Sequence, residues 1–241
     1  MTLDLGRIQA ICFDVDGTLS DTDDLWIASF EKHFNGLRKL FPHGDIRSFA
    51  RWAIMCAESP GNLVYHWLDR ADLDDEVCRI YSYISQRGLR RSPRNFWLIE
   101  GVHEMLARLQ PHYALSVVSA RDCAGTEAFL DQHGLRCFFN SVATSLTCRY
   151  TKPFPDPVLW AAAQMGVAPQ NCLMVGDTTV DIRAGKAAGA QTVGVLCGFG
   201  REDELRRAGA DLILPSTSVL ADLLLDLQLD VTEPEAHTLL N

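Results

Sequence analysis

Residues 8–13 form an apolar run that passes without a break into Asp14-Val15-Asp16-Gly17-Thr18. This junction constrains the fold more than any other stretch of the chain. A short run, partly β-branched and aromatic, near the N-terminus reads as a buried parallel strand. In an open α/β sheet, ligands gather beyond the carboxyl ends of the strands, so two acids at such an end stand where chemistry is expected. The strand must give way to a turn at Asp16-Gly17, which glycine permits. Taken alone, the same five residues are also compatible with plain turn punctuation, the acids supplying turn or cap hydrogen bonds. The rest of the chain has to decide between the two.

From residue 99 onward, helical and strand patterns alternate. The periodicity predicts a helix over 100–109 and a strand over 113–118 that delivers Ser119 at its end. A helix over 126–133 follows, closed by Gly134, and then a weaker strand over 138–143. Residues 151–157, Thr-Lys-Pro-Phe-Pro-Asp-Pro, read as a proline-fixed loop carrying Lys152. Beyond it come a helix over 158–165, a strand over 171–176 ending at Asp177 with Asp181 four residues later, and a helix over 182–188 stopped by Gly189. Strands over 191–195 and 212–214 complete the pattern, and the tail after Leu229 is expected to fray. The expected fold class is α/β, a doubly wound parallel sheet with right-handed crossovers.

Between the first strand and this alternation, residues 23–94 show helical periodicity and almost no strand signal, with breaks at Pro42-His43-Gly44 and Ser59-Pro60-Gly61-Asn62. A block this long does not fit an ordinary connecting loop. The expected organisation is a core of residues 1–21 and 95–241 with a small helical domain, 22–94, inserted after the first strand. Trp26, Trp52 and Trp67 read as the core of that insert, and Asp21, Asp23 and Asp24 as caps of its first helix. Arg87, Arg90, Arg91 and Arg94 crowd its end. They read first as a solvated basic face and otherwise as an anion-recognising patch turned to the active site.

Composition narrows the partners. A formal net charge of −9 argues against a nucleic-acid backbone, whose binding is built from lysine and arginine. It leaves room for a small anion, because a bound metal can reverse the local field. The sequence offers neither a membrane-spanning stretch nor the apolar core of a secretory signal, so a cytoplasmic protein, monomeric or homodimeric, is expected. The eight cysteines fall outside zinc-ligand spacings and read as structural or incidental thiols.

Four strand ends thus carry polar groups: Asp14 and Asp16, Ser119, Lys152, and Asp177 with Asp181. Parallel strands bring their carboxyl ends to one edge, so residues far apart in sequence can converge there. Clustered carboxylates repel one another unless a cation lies between them, and a site of few oxygen ligands suits Mg²⁺. Asp14, Asp177 and the backbone carbonyl of Asp16 are candidates to supply it. An ionised carboxylate can attack phosphorus, a lysine and a hydroxyl can hold phosphoryl oxygens, and a second carboxyl can exchange the proton.

The motifs resemble those of the haloacid dehalogenase-like hydrolase superfamily: Asp14-x-Asp16-Gly17-Thr18, an apolar strand ending in Ser119, Lys152-Pro153, and Gly176-Asp177-x-x-x-Asp181, in that order. The helical insert falls where that superfamily places its cap. The resemblance implies Asp14 as nucleophile, Asp16 as general acid and base, and Ser119 and Lys152 as phosphoryl-binding groups. It implies Asp177 as the metal carboxylate, with Asp181 assisting directly or through water. The second acid, Asp16, points to the phosphatase branch, and the nearest flavour is phosphoglycolate phosphatase-like. Ala120 departs from the asparagine that many relatives carry after the serine.

The expected activity is therefore Mg²⁺-dependent hydrolysis of a small phosphorylated metabolite through an aspartyl-phosphate. The alternatives are a phosphotransferase such as a sugar-phosphate mutase, and a catalytically quiet phosphate-sensing protein. Thr18 reads equally as a phosphoryl contact and as a turn residue. Arg121 reads first as the start of the next helix and only second as a substrate contact.

Overall fold

The computed structural model describes residues 3–21 and 96–225. The expected helical insert, its arginine cluster and the frayed tail lie outside the described residues. Among the described residues, six parallel strands form one sheet: β1 (Ala10–Phe13), β2 (Ala114–Val118), β3 (Ser141–Ala143), β4 (Cys172–Gly176), β5 (Gln191–Val195) and β6 (Leu212–Leu214). They stand in the order β3-β2-β1-β4-β5-β6. The chain builds outward from β1 through β2 to β3, then returns to lay β4 on the other side of β1. The carboxyl ends of β1 and β4 therefore flank the topological switch point, where a doubly wound sheet opens a crevice. Asp14 and Asp177 directly follow these two strands.

All four residues of β1 are buried, and they divide between two cores because side chains alternate across a strand. Ile11 and Phe13 face a layer built from α1 (Val102–Leu109) and α2 (Cys123–Gln132), through Met105, Leu106, Leu109, Phe129 and Leu130. Ala10 and Cys12 face the opposite layer, where α3 (Asp156–Met165) and α4 (Thr179–Ala187) contribute Val158, Ala161, Ala162 and Ala184. A fifth helix, α5 (Glu202–Ala208), sets its buried Leu205 against Gly194 of β5. The expected doubly wound α/β architecture is what the core has.

Strands over 191–195 and 212–214 fall where the sequence places them, while other boundaries differ for identifiable reasons. The strand expected from residue 8 begins at Ala10, after a 3₁₀ turn at Leu5–Arg7. The weak strand over 138–143 divides into a 3₁₀ turn, Arg136–Phe138, and the short β3. Each of α2, α3 and α4 starts two or three residues before its expected position. In α2 the extra turn is secured by Asp122, whose carboxylate accepts the Gly125 N–H at 2.8 Å.

The far edge of the sheet is fastened by Asp211. Its carboxylate accepts from Lys186 Nζ at 2.5 Å, from the Thr192 N–H at 2.9 Å and from the Thr192 hydroxyl at 3.1 Å. Burial pushes this carboxyl up, but the Lys186 bond and the Thr192 amide outweigh it and hold the group below the usual carboxylate range. A depressed folded value means stability that is present above the unfolded pKa of about 4 and is lost as pH falls through the folded value. Asp211→Asn is expected to lower stability by about 1–3 kcal/mol at neutral pH. The deficit relative to wild type should shrink in urea melts run at progressively acid pH.

Candidate active site

The turn after β1 is wound around one carbonyl. Val15 C=O accepts the N–H groups of Thr18, Leu19 and Ser20 at 3.3, 2.9 and 2.8 Å, and Gly17 takes a φ of +72° to close it. That positive φ favours glycine, and a Cβ there would also overlap the Asp177 carboxylate. The sequence therefore keeps Asp14 in line with β1, its N–H still bonded to Val175 C=O at 2.9 Å, and swings Asp16 away from it. Just beyond the turn, residues 19–21 lie beside residues 97–99. Asp21 N–H donates to Trp97 C=O at 2.9 Å, and Ile99 N–H to Leu19 C=O at 3.0 Å.

Three of the expected carboxylates converge. Asp14, Asp177 and Asp181 are all buried, and one oxygen of each lies within 4.8 Å of the others. Lys152 enters this cluster from the loop before α3. Its Nζ donates to Asp14 Oδ1 and to Asp181 Oδ1, both at 2.6 Å. Burial disfavours charge on Lys152, but Asp14 and Asp181 outweigh it and hold its pKa above the ordinary lysine value. The lysine is thus a permanent cation. Burial pushes the Asp14 carboxyl up to about 7; Lys152 pulls the other way, while Asp181 and Asp16 add to the rise.

Each carboxylate is oriented by a separate device. Asp177 Oδ2 accepts the Phe199 N–H at 2.8 Å, and Oδ1 accepts the Thr18 hydroxyl at 3.4 Å. Gly198 lies so close to Asp177 that a Cβ would overlap the carboxylate. Asp181 Oδ2 caps α4, accepting from the Thr178 N–H at 3.0 Å and the Thr178 hydroxyl at 2.6 Å, while Oδ1 holds Lys152. Ser119, buried at the end of β2, accepts the Arg121 N–H at 3.1 Å on its Oγ and keeps its own O–H to donate.

The Asp16 side chain is elsewhere. It lies outside the cluster of three and is held by the guanidinium of Arg121, through Nε to Oδ2 at 3.1 Å and Nη2 to Oδ1. Thr18 is joined to Asp177 by its hydroxyl, and its carbonyl accepts from Thr217 Oγ1 at 2.7 Å. The Arg121 pair, the Thr178–Asp181 cap and the Phe199 N–H are contributions that the sequence reading missed or ranked low. The paired glycines Gly198 and Gly200, just past β5, were the signal for a backbone pressed against Asp177, against its carboxylate at Gly198 and its carbonyl at Gly200.

The residues present fit a divalent cation. With every group ionised, three buried carboxylates gather around the Lys152 ammonium that Asp14 and Asp181 share, and an all-oxygen donor set favours a hard ion. An acidic set shared between two strand ends and a fixed lysine, on a sheet of this order, defines a Rossmann-like α/β enzyme working at its switch point.

The comparisons narrow that class. A family model of haloacid dehalogenase-like hydrolases matches residues 11–195, and the chain belongs to that family. It is 30% identical over 190 residues to pyrophosphatase PpaX of Bacillus velezensis, covering 78% of this chain and 83% of the relative. It is 26% identical over 238 residues to the phosphoglycolate phosphatase of Shigella boydii serotype 4, covering 88% and 91%. Among solved structures, CbbY from Rhodobacter sphaeroides in complex with phosphate matches with a TM-score of 0.55 at 25% identity, over 88% of this chain and 96% of that one. The protein is a hydrolase, as the order of its motifs implies. Among the described residues, no helix is long and apolar enough to cross a membrane.

Proposed function

We propose that this hydrolase is a Mg²⁺-dependent phosphatase of a small phosphorylated metabolite, with residues 22–94 as a cap over a core of 1–21 and 95–241. The observation that carries the reading is Lys152, fixed at 2.6 Å from both Asp14 and Asp181 in a buried acidic cluster. The named relatives, a pyrophosphatase and a phosphoglycolate phosphatase, and a neighbour with phosphate bound all act on or hold phosphoryl groups.

In this reading Asp14 attacks phosphorus while Asp16 gives its proton to the departing ester oxygen. Water, deprotonated by Asp16, then attacks the aspartyl-phosphate and frees Asp14. Lys152 has three N–H donors, two of them engaged by carboxylates, and offers the third to the phosphoryl group along with the Ser119 hydroxyl. A Mg²⁺ ion held by Asp14, Asp177 and Asp181, the last directly or through water, would neutralise phosphoryl charge and favour the ionised form of Asp14.

The test is phosphate release over a panel of phosphorylated metabolites, with Mg²⁺ and with a chelator. At least one small phosphomonoester is expected to be hydrolysed, with release falling to background under the chelator and returning when Mg²⁺ is added. Turnover only in the presence of a sugar-phosphate acceptor would assign a phosphotransferase instead. No turnover on any ester would assign a sensor.

A further inference from the structure

We propose that Arg121 is a positioning residue for proton transfer, fixing the Asp16 carboxylate and tying it to the phosphoryl-binding hydroxyl of Ser119. The inference rests on the reading of Asp16 as acid and base. Arg121 follows β2 by three residues, and its side chain is only 10% exposed, against 29% for Asp16. The clamp is buried, and the group it holds stays open to a leaving group or to water.

The guanidinium lies over the Phe96 ring, 4.8 Å from its centroid, and 5.9 Å from that of Phe129. These two rings meet edge to face at 5.9 Å, and Phe96 is pinned to α2 by paired hydrogen bonds with the Gln132 amide. The Arg121 backbone is fixed at both ends, its N–H on Ser119 Oγ at 3.1 Å and its C=O accepting from Ser145 N–H at 3.0 Å. With the backbone bonded on both sides and the guanidinium lying over a ring, the fork is directed onto Asp16.

One observation shows that this is more than a surface pair. Among the described residues, Nη1 of Arg121 is buried without a hydrogen-bond partner, an unfavourable state that a surface arginine avoids by staying in water. The fold tolerates an unsatisfied donor to keep the other two nitrogens on the carboxylate. A carboxylate has about four acceptor sites and the fork uses two, so the outward lone pairs remain for the proton. In the first step that proton passes to the ester oxygen as the bond from phosphorus to the leaving group breaks and the bond to Asp14 forms. In the second, Asp16 takes a proton from water as the water oxygen bonds to phosphorus and the Asp14–phosphorus bond breaks.

Leaving-group dependence tests the proposal. A nitrophenolate leaves without a proton, whereas an alkoxide needs one, and kcat/KM reports the steps through its departure. Arg121→Gln is expected to lower kcat/KM on the best alkyl phosphate of the panel about 100-fold, the usual cost of a misplacement near 1 Å. On p-nitrophenyl phosphate the loss should stay under about 10-fold. Arg121→Lys should retain most of the defect, because an ammonium cannot make the two-pronged contact. It carries the same comparison if Arg121→Gln does not fold. Asp16→Asn should show the same split, and combining it with Arg121→Gln should add no further loss. Equal losses on both esters, or additive losses in the double variant, would overturn the positioning role. If Asp16→Asn itself shows no split, the acid and base reading of Asp16 fails. If Asp16→Asn splits and Arg121→Gln does not, only the present inference fails.

Discussion

Asp14→Asn is expected to remove turnover, by a factor of about 10⁴ or more, while leaving the fold in place. The amide keeps the size and planar shape of the carboxyl but is no nucleophile toward phosphorus. Stability should change little. Burial pushes the Asp14 carboxyl up to about 7 and so disfavours charge at this position, which the neutral amide does not carry. Lys152 keeps its second partner, Asp181, at 2.6 Å. Phosphate release on the best ester, read beside the urea midpoint, checks both parts. Loss of activity with an unmoved midpoint is the signature expected of a nucleophile rather than of a structural acid.

Lys152→Met should do the opposite kind of damage, taking activity and stability together. The substitution leaves Asp14 and Asp181 buried without the ammonium that lay between them. Breaking a buried pair from one side costs about 3–5 kcal/mol, because the charge left behind has no compensation. The measurement is the urea midpoint in chelator-containing buffer, so that no added cation can substitute for the lysine. Combining Lys152→Met with Asp14→Asn should return part of that stability while restoring no phosphate release. Two changes that each inactivate the enzyme would then be less destabilising together than the sum of the single effects.

The contrast between these variants shows what was legible in the chain. Asp14, Ser119, Asp177 and the buried strands before them were readable because an apolar run that ends in a polar residue keeps its meaning locally. The alternation of strands and helices implied a parallel sheet with these ends on one edge, but the strand order that makes β1 and β4 neighbours at the switch point came only from the structure. Helix α5 was not legible: Glu202–Ala208 buries only Leu205 and is otherwise dominated by charge, so it has no apolar stripe to betray it. The start of α4 was obscured for another reason. Asp181 both caps the helix and holds Lys152, and the chemical reading hid the structural one. Arg121 had only a weak local signal, its place two residues after Ser119. Its partner Asp16 is 105 positions away, and only the folded sheet brings the end of β2 beside the end of β1.

Residues 19–21 and 97–99 are hydrogen-bonded to each other, and the Ser20 hydroxyl adds a bond to Trp97 C=O at 3.2 Å. The two ends of the intervening segment are therefore already joined at its base. Closing a loop between tied ends costs only about 0.6 kcal/mol more for each doubling of its length. The bonds between residues 19–21 and 97–99 therefore hold the turn after β1 against the start of the second described segment, whatever the length of chain between them.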